Sequence, residues 1–325
     1  MTKEKILKLL LDHKGEILSG PDLSKELGVS RNSIWKAINT LRKENHQIIS
    51  VKNKGYFLEV NSDGLSNQEI LKNLGPAQND YNILILDQIP STNTYLKDHE
   101  ELPHNTIVLA KVQTQGRGRR GKSFYSMDEG GIYMSLLKKK NLEDYDLGLV
   151  TMASALALSE VTDEVLRTNS QVKWVNDLFV SGKKIAGILT EGTMELETRT
   201  LSSLIIGLGI NINTKAFPKE LEQIATSFLL ESNEFKERNG IIAKIIVALE
   251  KYLLMTKTHP QLLLDEYRSK MLYLGEEIQI HQGNNNYFGI LKDLNEKGHL
   301  IIQRDGQHHE LSSGEISIKK REDTI

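Results

Sequence analysis

Cysteine is absent from the 325-residue sequence, which excludes disulfide bonds and thiolate metal sites. Long apolar runs are also absent, and none approaches the ~20 residues of a membrane-spanning helix. The first eighteen residues have apolar side chains at helical spacing, without the continuous core or small-residue cleavage site of a signal peptide. We therefore expect a cytoplasmic protein with no membrane partner.

Net charge is small, −2, because 41 basic residues nearly balance 43 acidic ones. The distribution is uneven, since residues 1–60 contain eleven basic and seven acidic side chains and the remainder is acidic. The length allows two or three domains. A basic N-terminal segment followed by an acidic remainder indicates that only the N-terminal segment binds a polyanion.

The first sixty residues predict three short helices and a hairpin. Apolar periodicity gives two helices before Gly28 and a third that starts after the N-cap residue Ser30. Two β-rich runs, 48–51 and 56–60, follow. This order is typical of a winged helix-turn-helix, whose third helix enters the major groove of DNA. The predicted base-facing residues are Arg31, Asn32, Ser33 and Lys36, and those facing the DNA backbone are Lys52 and Lys54.

The remainder predicts an α+β multidomain chain. A connecting segment, 61–78, includes a short helix after Ser66. Strand patterns follow at 83–86, 107–112, 132–137, 173–175, 185–189 and 204–210, with helices at 147–166 and 241–254. They predict a mixed α/β domain in which a helical layer covers a sheet.

From about residue 275, short strands alternate with turn dipeptides at 283–284, 297–298, 305–306 and 313–314. This pattern predicts a small, SH3-like β-barrel. The predicted domains are therefore 1–62, 63–272 and 273–325.

The densest cluster of basic residues is 113–122, Gln-Thr-Gln-Gly-Arg-Gly-Arg-Arg-Gly-Lys. Guanidinium groups and bare backbone N–H groups in one loop hold phosphates and carboxylates. The loop contains a Gly-x-Gly-x-x-Gly motif, but residues 122–126 do not open a helix, which argues against a dinucleotide-binding fold. On charge alone, a solvated basic loop or an RNA-binding patch is an equal alternative.

A second segment, 173–189, predicts a hairpin with Lys184 at the start of an apolar strand. A lysine there could neutralise a carboxylate and then a phosphorane-like transition state, although a lysine that reaches solvent from a strand end is the simpler alternative. Asp177 could help to bind Mg²⁺, but Asn-Asp is also a common turn dipeptide.

Two further motifs are weaker by themselves. Ser91-Thr92-Asn93 offers hydroxyl and amide groups at a helix start, where a plain N-cap would look the same. Gly207 and Gly209 lie inside a strand, which indicates either a flat ligand on that strand or a bulge.

Together, and in this order, these features resemble the biotin–protein ligase family, in particular its bifunctional bacterial members that also repress the biotin operon. The resemblance covers essentially the whole chain. It rests on the winged helix, 91–93, Gln113 with 116–121, 173–177, 184–189, 207–211 and 314–317. Lipoate ligases of the same superfamily lack the arginine-rich loop and the winged helix.

The resemblance implies roles for individual residues. Biotin and its adenylate would contact Ser91, Thr92, Asn93, Gln113, Arg117, Gly118, Arg119 and Lys184, with Lys184 and Arg119 catalytic. The family often has proline at Val175 and tryptophan at Phe124. A strand tolerates valine well, and phenylalanine can still stack on adenine with less surface.

The implied activity has two steps, formation of biotinyl-AMP from biotin and ATP with Mg²⁺, then transfer to a lysine of a biotin carboxyl carrier protein. The resemblance also implies operator DNA as a partner and a homodimer in the adenylate-bound state. The alternatives are a biotin-sensing transcription factor without catalysis and a lipoate-type ligase. A mere sensor would not require both the arginine-rich loop and Lys184.

Overall fold

A computed structural model describes residues 2–13, 15–43, 46, 48–52, 54–58, 64–143, 145–195, 197, 200–282, 285–312 and 316–320. Two compact units are present, residues 1–79 with 234–243, and residues 80–233 with 244–325. Among the described residues, no helix has the length and apolarity required to cross a bilayer.

The first unit contains the predicted winged helix-turn-helix. Its elements are α1 (Thr2–Asp12), α2 (Gly20–Leu27), α3 (Arg31–Lys43), β1 (Ile48–Val51), β2 (Gly55–Leu58) and α4 (Asn67–Leu74). Gly28 ends α2 in the left-handed conformation, with φ 63°, and the Ser30 hydroxyl accepts a hydrogen bond from Ser33 N at 3.2 Å. Both predicted helix boundaries are thus confirmed.

The core of this unit is the predicted apolar side of α3 packed against α1. The buried α3 residues are Ile34, Ala37, Ile38 and Leu41, and those of α1 are Ile6, Leu7, Leu10 and Leu11. Ile48 and Leu58, opposite each other on β1 and β2, complete the cluster. Burial of one side of α3 leaves its polar side exposed.

The second unit begins with a mixed α/β part. Its elements are β3 (Asn82–Ile89), α5 (Thr92–Asp98), β4 (Thr106–Gln113), β5 (Ile132–Lys138), α6 (Leu147–Leu166), β6 (Gln171–Lys173), β7 (Asp177–Val180), β8 (Lys183–Met194), β9 (Leu201–Ile210), α7 (Phe228–Ser232), α8 (Arg238–Thr258) and α9 (Pro260–Lys270). The start of α8, up to residue 243, belongs to the first unit. The strands form one sheet in the order β3-β4-β5-β9-β8-β7-β6, with β3 and β4 parallel and the other pairs antiparallel.

The two faces of this sheet differ. Thr190 of β8 accepts a hydrogen bond from Thr151 of α6, so even-numbered side chains in this part of β8 face that helix. In β9, the even-numbered residues from Leu204 to Ile210 are buried on the same face by register. The odd-numbered positions, including Gly187, Gly207 and Gly209, therefore share the opposite face, and the registry of β5 with β9 adds Tyr133 and Ser135 to it.

The C-terminal strands are β10 (Glu277–Gln282), β11 (Asn285–Leu294), β12 (Leu300–Arg304), β13 (Gln307–Leu311) and β14 (Ile316–Lys320). They form one five-stranded antiparallel sheet, in the order β13-β12-β11-β10-β14, in the segment where the sequence predicts a small SH3-like β-barrel. The turn at 305–306 has the expected left-handed residues, with φ 51° and 77°. The predicted turns at 283–284 and 313–314 lie outside the described residues, as do Asn53, 59–63 and the motif residues Gly314 and Glu315.

One predicted strand is wrong in part. The run 173–175 is not a strand, because β6 ends at Lys173 and the chain turns before β7 begins at Asp177. Val175 consequently lies in a turn, and the tolerance of strands for valine does not bear on it. The segment forms two successive hairpins rather than one.

Candidate active site

The floor of the candidate site is a buried polar cluster where β3 leads into α5. Ser91 caps α5 through its hydroxyl, which accepts a hydrogen bond from Thr94 N. Gln113, at the end of β4, accepts hydrogen bonds at Oε1 from Thr92 N (2.8 Å) and Thr92 Oγ1 (3.2 Å). Because β3 and β4 are parallel, both strands end at the same edge, which brings Gln113 beside the helix start.

Asn93 joins this floor to β8. Its Nδ2 donates to the backbone oxygen of Leu189 at 3.1 Å and to the Glu191 carboxylate at 2.8 Å. The Ser135 hydroxyl lies 2.6 Å from both Asn93 Oδ1 and Thr92 Oγ1. Ser135 and Glu191 were missed by the sequence analysis, and only their odd-numbered positions on the glycine-bearing face could have indicated them.

The strand glycines make room for this arrangement. A Cβ atom at Gly207 would lie 2.0 Å from Asn93 Oδ1, and one at Gly209 would lie 2.6 Å from the Phe124 ring. At Gly187 the nearest atoms, Lys184 Cε and Nζ, would be 3.2 Å away. The register of β9 with both neighbours is unbroken at Gly207 and Gly209, so close approach rather than a bulge explains these two glycines.

The arginine-rich loop is a compact turn over this face. Gly118 N donates to Lys122 O at 2.7 Å, and Phe124 N donates to Gly116 O at 2.9 Å. Arg120 adopts a left-handed conformation, with φ 57°. Arg117 forms an ion pair with Glu191 at 3.1 Å, so the carboxylate that binds Asn93 also binds the loop.

Arg119 lies deeper than Arg117 and donates to Asn176 Oδ1 at 3.4 Å. Burial lowers the pKa of its guanidinium, the charge of Arg120 lowers it further, and Asp177 acts in the opposite direction. An anion bound beside Arg119 would offset both unfavourable effects. The sequence analysis missed Asn176 as a partner of the loop.

Lys184 reaches the same face because of a β-bulge. The register of β7 with β8 pairs Phe179 with Lys184 but Leu178 with Ala186, which leaves Ile185 as the extra residue. The bulge turns Lys184 towards Asp177, 2.7 Å from its Nζ, and the Phe124 ring, whose centroid is 5.8 Å away.

The turn between β6 and β7 is fixed by the C-terminal part of the unit. Trp174 donates from Nε1 to the backbone oxygen of Gly298 at 3.0 Å. The buried Tyr267 hydroxyl donates to Val175 O at 3.1 Å. Asn176 then bonds Ile188 through both its backbone oxygen and its side chain, which places Asn176 and Asp177 at the cavity wall.

The polar floor, the arginine-rich loop, the turn at Asn176 and the strand glycines line one cavity of about 210 Å³. It contains every residue predicted to bind biotin or its adenylate, together with Phe124 and Asp177: Ser91, Thr92, Asn93, Gln113, Arg117, Gly118, Arg119 and Lys184. A second cavity of about 560 Å³ shares Gln113, Phe124 and Lys184 with it. Its other wall includes Phe217, Leu221 and Ile224, which the sequence analysis did not single out.

Within the described part of the chain, no group of three or more acidic or histidine side chains is placed to hold a metal ion. Asp177 contributes one carboxylate, which Lys184 already contacts.

The predicted DNA-facing residues lie in the first unit, apart from this site. Arg31, Asn32, Ser33 and Lys36 are all exposed on α3, and Lys52 and Lys54 are exposed on either side of the turn between β1 and β2. The structure thus places the six on the surface of the winged unit.

Three family models match the chain. They are the biotin/lipoate A/B protein ligase family at residues 85–211, an HTH domain at 2–57 and the biotin protein ligase C terminal domain at 273–319. The bifunctional ligase/repressor BirA of Bacillus subtilis is 31% identical over 97% of this chain and 98% of its own length. BirA of Escherichia coli is 29% identical over 98% and 97%, respectively.

A solved structure agrees with these matches. The biotin protein ligase from Aquifex aeolicus, in complex with biotin and ATP, is 30% identical and superimposes with a TM-score of 0.66. The match covers 74% of this chain and 99% of that one.

Proposed function

The chain belongs to the family of bifunctional biotin ligase/repressors, and from this we infer that it activates biotin with ATP, transfers it to a lysine of a carrier protein and represses transcription. The observation that supports catalysis best is that Lys184 and Arg119 line the same cavity as the buried polar floor. A binding protein would need the floor but not two cations beside it.

We propose that the bicyclic ring of biotin lies on the floor. Its urea group has N–H donors and a carbonyl acceptor, which match the hydroxyl and amide groups of Ser91, Thr92, Asn93 and Gln113. The bare backbone of Gly207 lets Asn93 approach the sheet closely enough to join this set. The valeryl chain then extends along the strand face towards Lys184.

In the first step, a biotin carboxylate oxygen attacks the α-phosphorus of ATP, and the bond to the bridging oxygen of pyrophosphate breaks. Lys184 and Arg119 lie where negative charge increases, and preorganised cations there lower the barrier. Lys184 exchanges its contact with Asp177 for the reacting groups. No protein nucleophile is required, because the substrate supplies its own carboxylate.

The adenine enters the second cavity, beside Phe124, in this proposal. Phe217, Leu221 and Ile224 give that cavity an apolar wall, and Phe124 lines both cavities. Phe124 already packs edge-on against Tyr133, with ring centroids 6.5 Å apart. Magnesium fits this donor set with Asp177 as its one carboxylate and nucleotide phosphates as further ligands; when bound, it offsets charge on the leaving pyrophosphate.

In the second step, a lysine amine of the carrier protein attacks the carbonyl carbon of the mixed anhydride, AMP leaves, and the amine loses a proton. The anhydride must be kept from water until the carrier arrives. The loop from Arg117 to Lys122, held to the floor through Glu191, is placed to cover it.

Pyrophosphate release tests this function. The full chain with biotin, ATP and Mg²⁺ should release pyrophosphate and then biotinylate an added carrier domain, whereas replacing biotin with lipoate should abolish both. Binding of biotin without pyrophosphate release would instead identify a sensor, and equal turnover of lipoate would identify a lipoate-type ligase.

A further inference from the structure

The second turn of α3 exposes a tryptophan. Trp35 is 54% exposed, whereas the chain's other tryptophan, Trp174, is 6% exposed and donates a hydrogen bond from its indole. Isolated apolar residues on a surface are common and need no explanation by themselves. The surroundings of Trp35 are what distinguish it.

Trp35 lies within the polar side of the helix. Residues four apart are neighbours on a helix surface, so Arg31, Trp35 and Asn39 form one row, and Asn32 and Lys36 form the next. The three predicted DNA-contacting residues of this set, Arg31, Asn32 and Lys36, are exposed like Trp35. The ring is therefore surrounded by side chains that can contact phosphates and base edges.

We propose that Trp35 determines DNA sequence specificity by packing its ring against the C5-methyl group of a thymine in the major groove. This inference rests on the proposed repressor function. The major groove admits a helix, and the thymine methyl is the apolar group among its donors and acceptors. The polar residues of α3 can recognise those donors and acceptors, and Trp35 offers the largest exposed apolar surface of this helix to the methyl.

Charge favours DNA over a second copy of the chain as the occupant. Residues 1–60 contain four more basic than acidic side chains, and the basic residues Arg31 and Lys36 are exposed on the same helix as Trp35. Two identical α3 surfaces would bring like charges together, whereas a duplex places phosphates on both sides of an inserted helix.

The test begins with the full chain, biotin and ATP, and a randomised DNA duplex library from which a bound sequence is selected. Each thymine of the selected duplex is then replaced with uracil, which removes only the methyl group. The wild type should lose about fourfold in affinity at one position per half-site, as expected for one buried methyl. Trp35→Ala should bind the thymine duplex more weakly and should not distinguish thymine from uracil there.

Matched variants locate the effect. Trp35→Phe should keep the thymine preference, and Ile17→Ala, which shortens another exposed apolar residue of the same unit, should match the wild type. Thermal melting of each variant should be unchanged, because both altered side chains are exposed. Acrylamide quenching of Trp35 fluorescence should fall when the selected duplex binds, with Trp35→Phe giving the background from Trp174.

The outcomes separate two failures. If the wild type selects no sequence, the proposed repressor function is wrong, and the role of Trp35 in sequence specificity is wrong as well. If the wild type selects a sequence but Trp35→Ala shows the same thymine-to-uracil losses, only the role of Trp35 is wrong. Protection of Trp35 from acrylamide by biotin and ATP before DNA is added would identify a second copy as the occupant and would also overturn it.

Discussion

Lys184 lies between an anionic partner and an aromatic ring, 2.7 Å from Asp177 and beside Phe124. Its replacement with alanine should slow pyrophosphate release by roughly 10²–10³, because a cation is lost where charge develops. Lys183→Ala is the matched control, since Lys183 donates instead to Glu222 O. Initial rates at saturating biotin and ATP provide the measurement, and a near-normal rate for Lys184→Ala would remove this lysine from the mechanism.

At the scale of single residues, the sequence motifs predicted residues that line the cavity, but not the residues that form hydrogen bonds with them. Each predicted ligand-binding residue lies in one cavity. Ser135 and Glu191 escaped notice because serine and glutamate in a strand carry no local pattern that separates a buried partner from a surface residue. Their roles depend on Asn93, which is distant in sequence and meets them only through the register of the sheet.

At the scale of secondary-structure elements, a substitution in β9 tests most directly whether Asn93 positions biotin. In Gly207→Ala, the new methyl would collide with Asn93 and displace it from Ser135 and Glu191. Overpacking of this kind costs about 1–3 kcal/mol, so loss of that amount from binding should raise the Kd for biotin about 5- to 150-fold. Titration calorimetry measures it.

The control for that variant is Gly192→Ala in β8, where the added methyl would meet the side-chain ends of Leu201 and Leu147. Flexible leucine ends can move aside, and this position faces α6 rather than the cavity. Its Kd for biotin should stay within about twofold of the wild type. Equal losses in the two variants would mean that Asn93 does not position biotin.

Element boundaries were predictable where an N-cap residue or a glycine marks them, as at Ser30 and Gly28. They were not predictable where tertiary contacts decide. The turn at 174–176 has a strand-like sequence, yet its backbone bonds to Tyr267 and its indole to Gly298. The bulge at Ile185 was likewise not predictable, because no glycine at this position indicates a bulge in the sequence.

For the whole molecule, we propose that biotinyl-AMP favours a DNA-binding dimer. One winged unit has few basic contacts and should bind DNA weakly with strong salt dependence, whereas two copies can read a palindromic site. Ordering of the arginine-rich loop by the adenylate would lower the cost of pairing. Sedimentation and duplex binding at fixed salt, with and without biotin plus ATP, measure this linkage, and equal DNA affinity in both conditions would rule it out.

Removal of residues 1–62 tests whether the winged unit is the part of the chain that binds DNA. The cut removes Asp12, which pairs with the exposed Lys72, but it leaves Ser66 and Glu69 bonded to Asn239. DNA binding should be lost and biotin transfer substantially retained. The domain limits proposed from sequence, 1–62, 63–272 and 273–325, stay predictions.

The two faces of the seven-stranded sheet have a consequence for how related chains can diverge in length. Along β8 and β9, one face packs against α6 and the other carries the glycines that line the cavity, and the side-chain period of a strand is two. Loss or gain of one residue in either strand would transfer the glycines to the helix and the leucines to the cavity. Substitutions should therefore accumulate in these strands while insertions and deletions collect in the loops, and a one-residue indel is tolerable only when, as at Ile185, a bulge absorbs it.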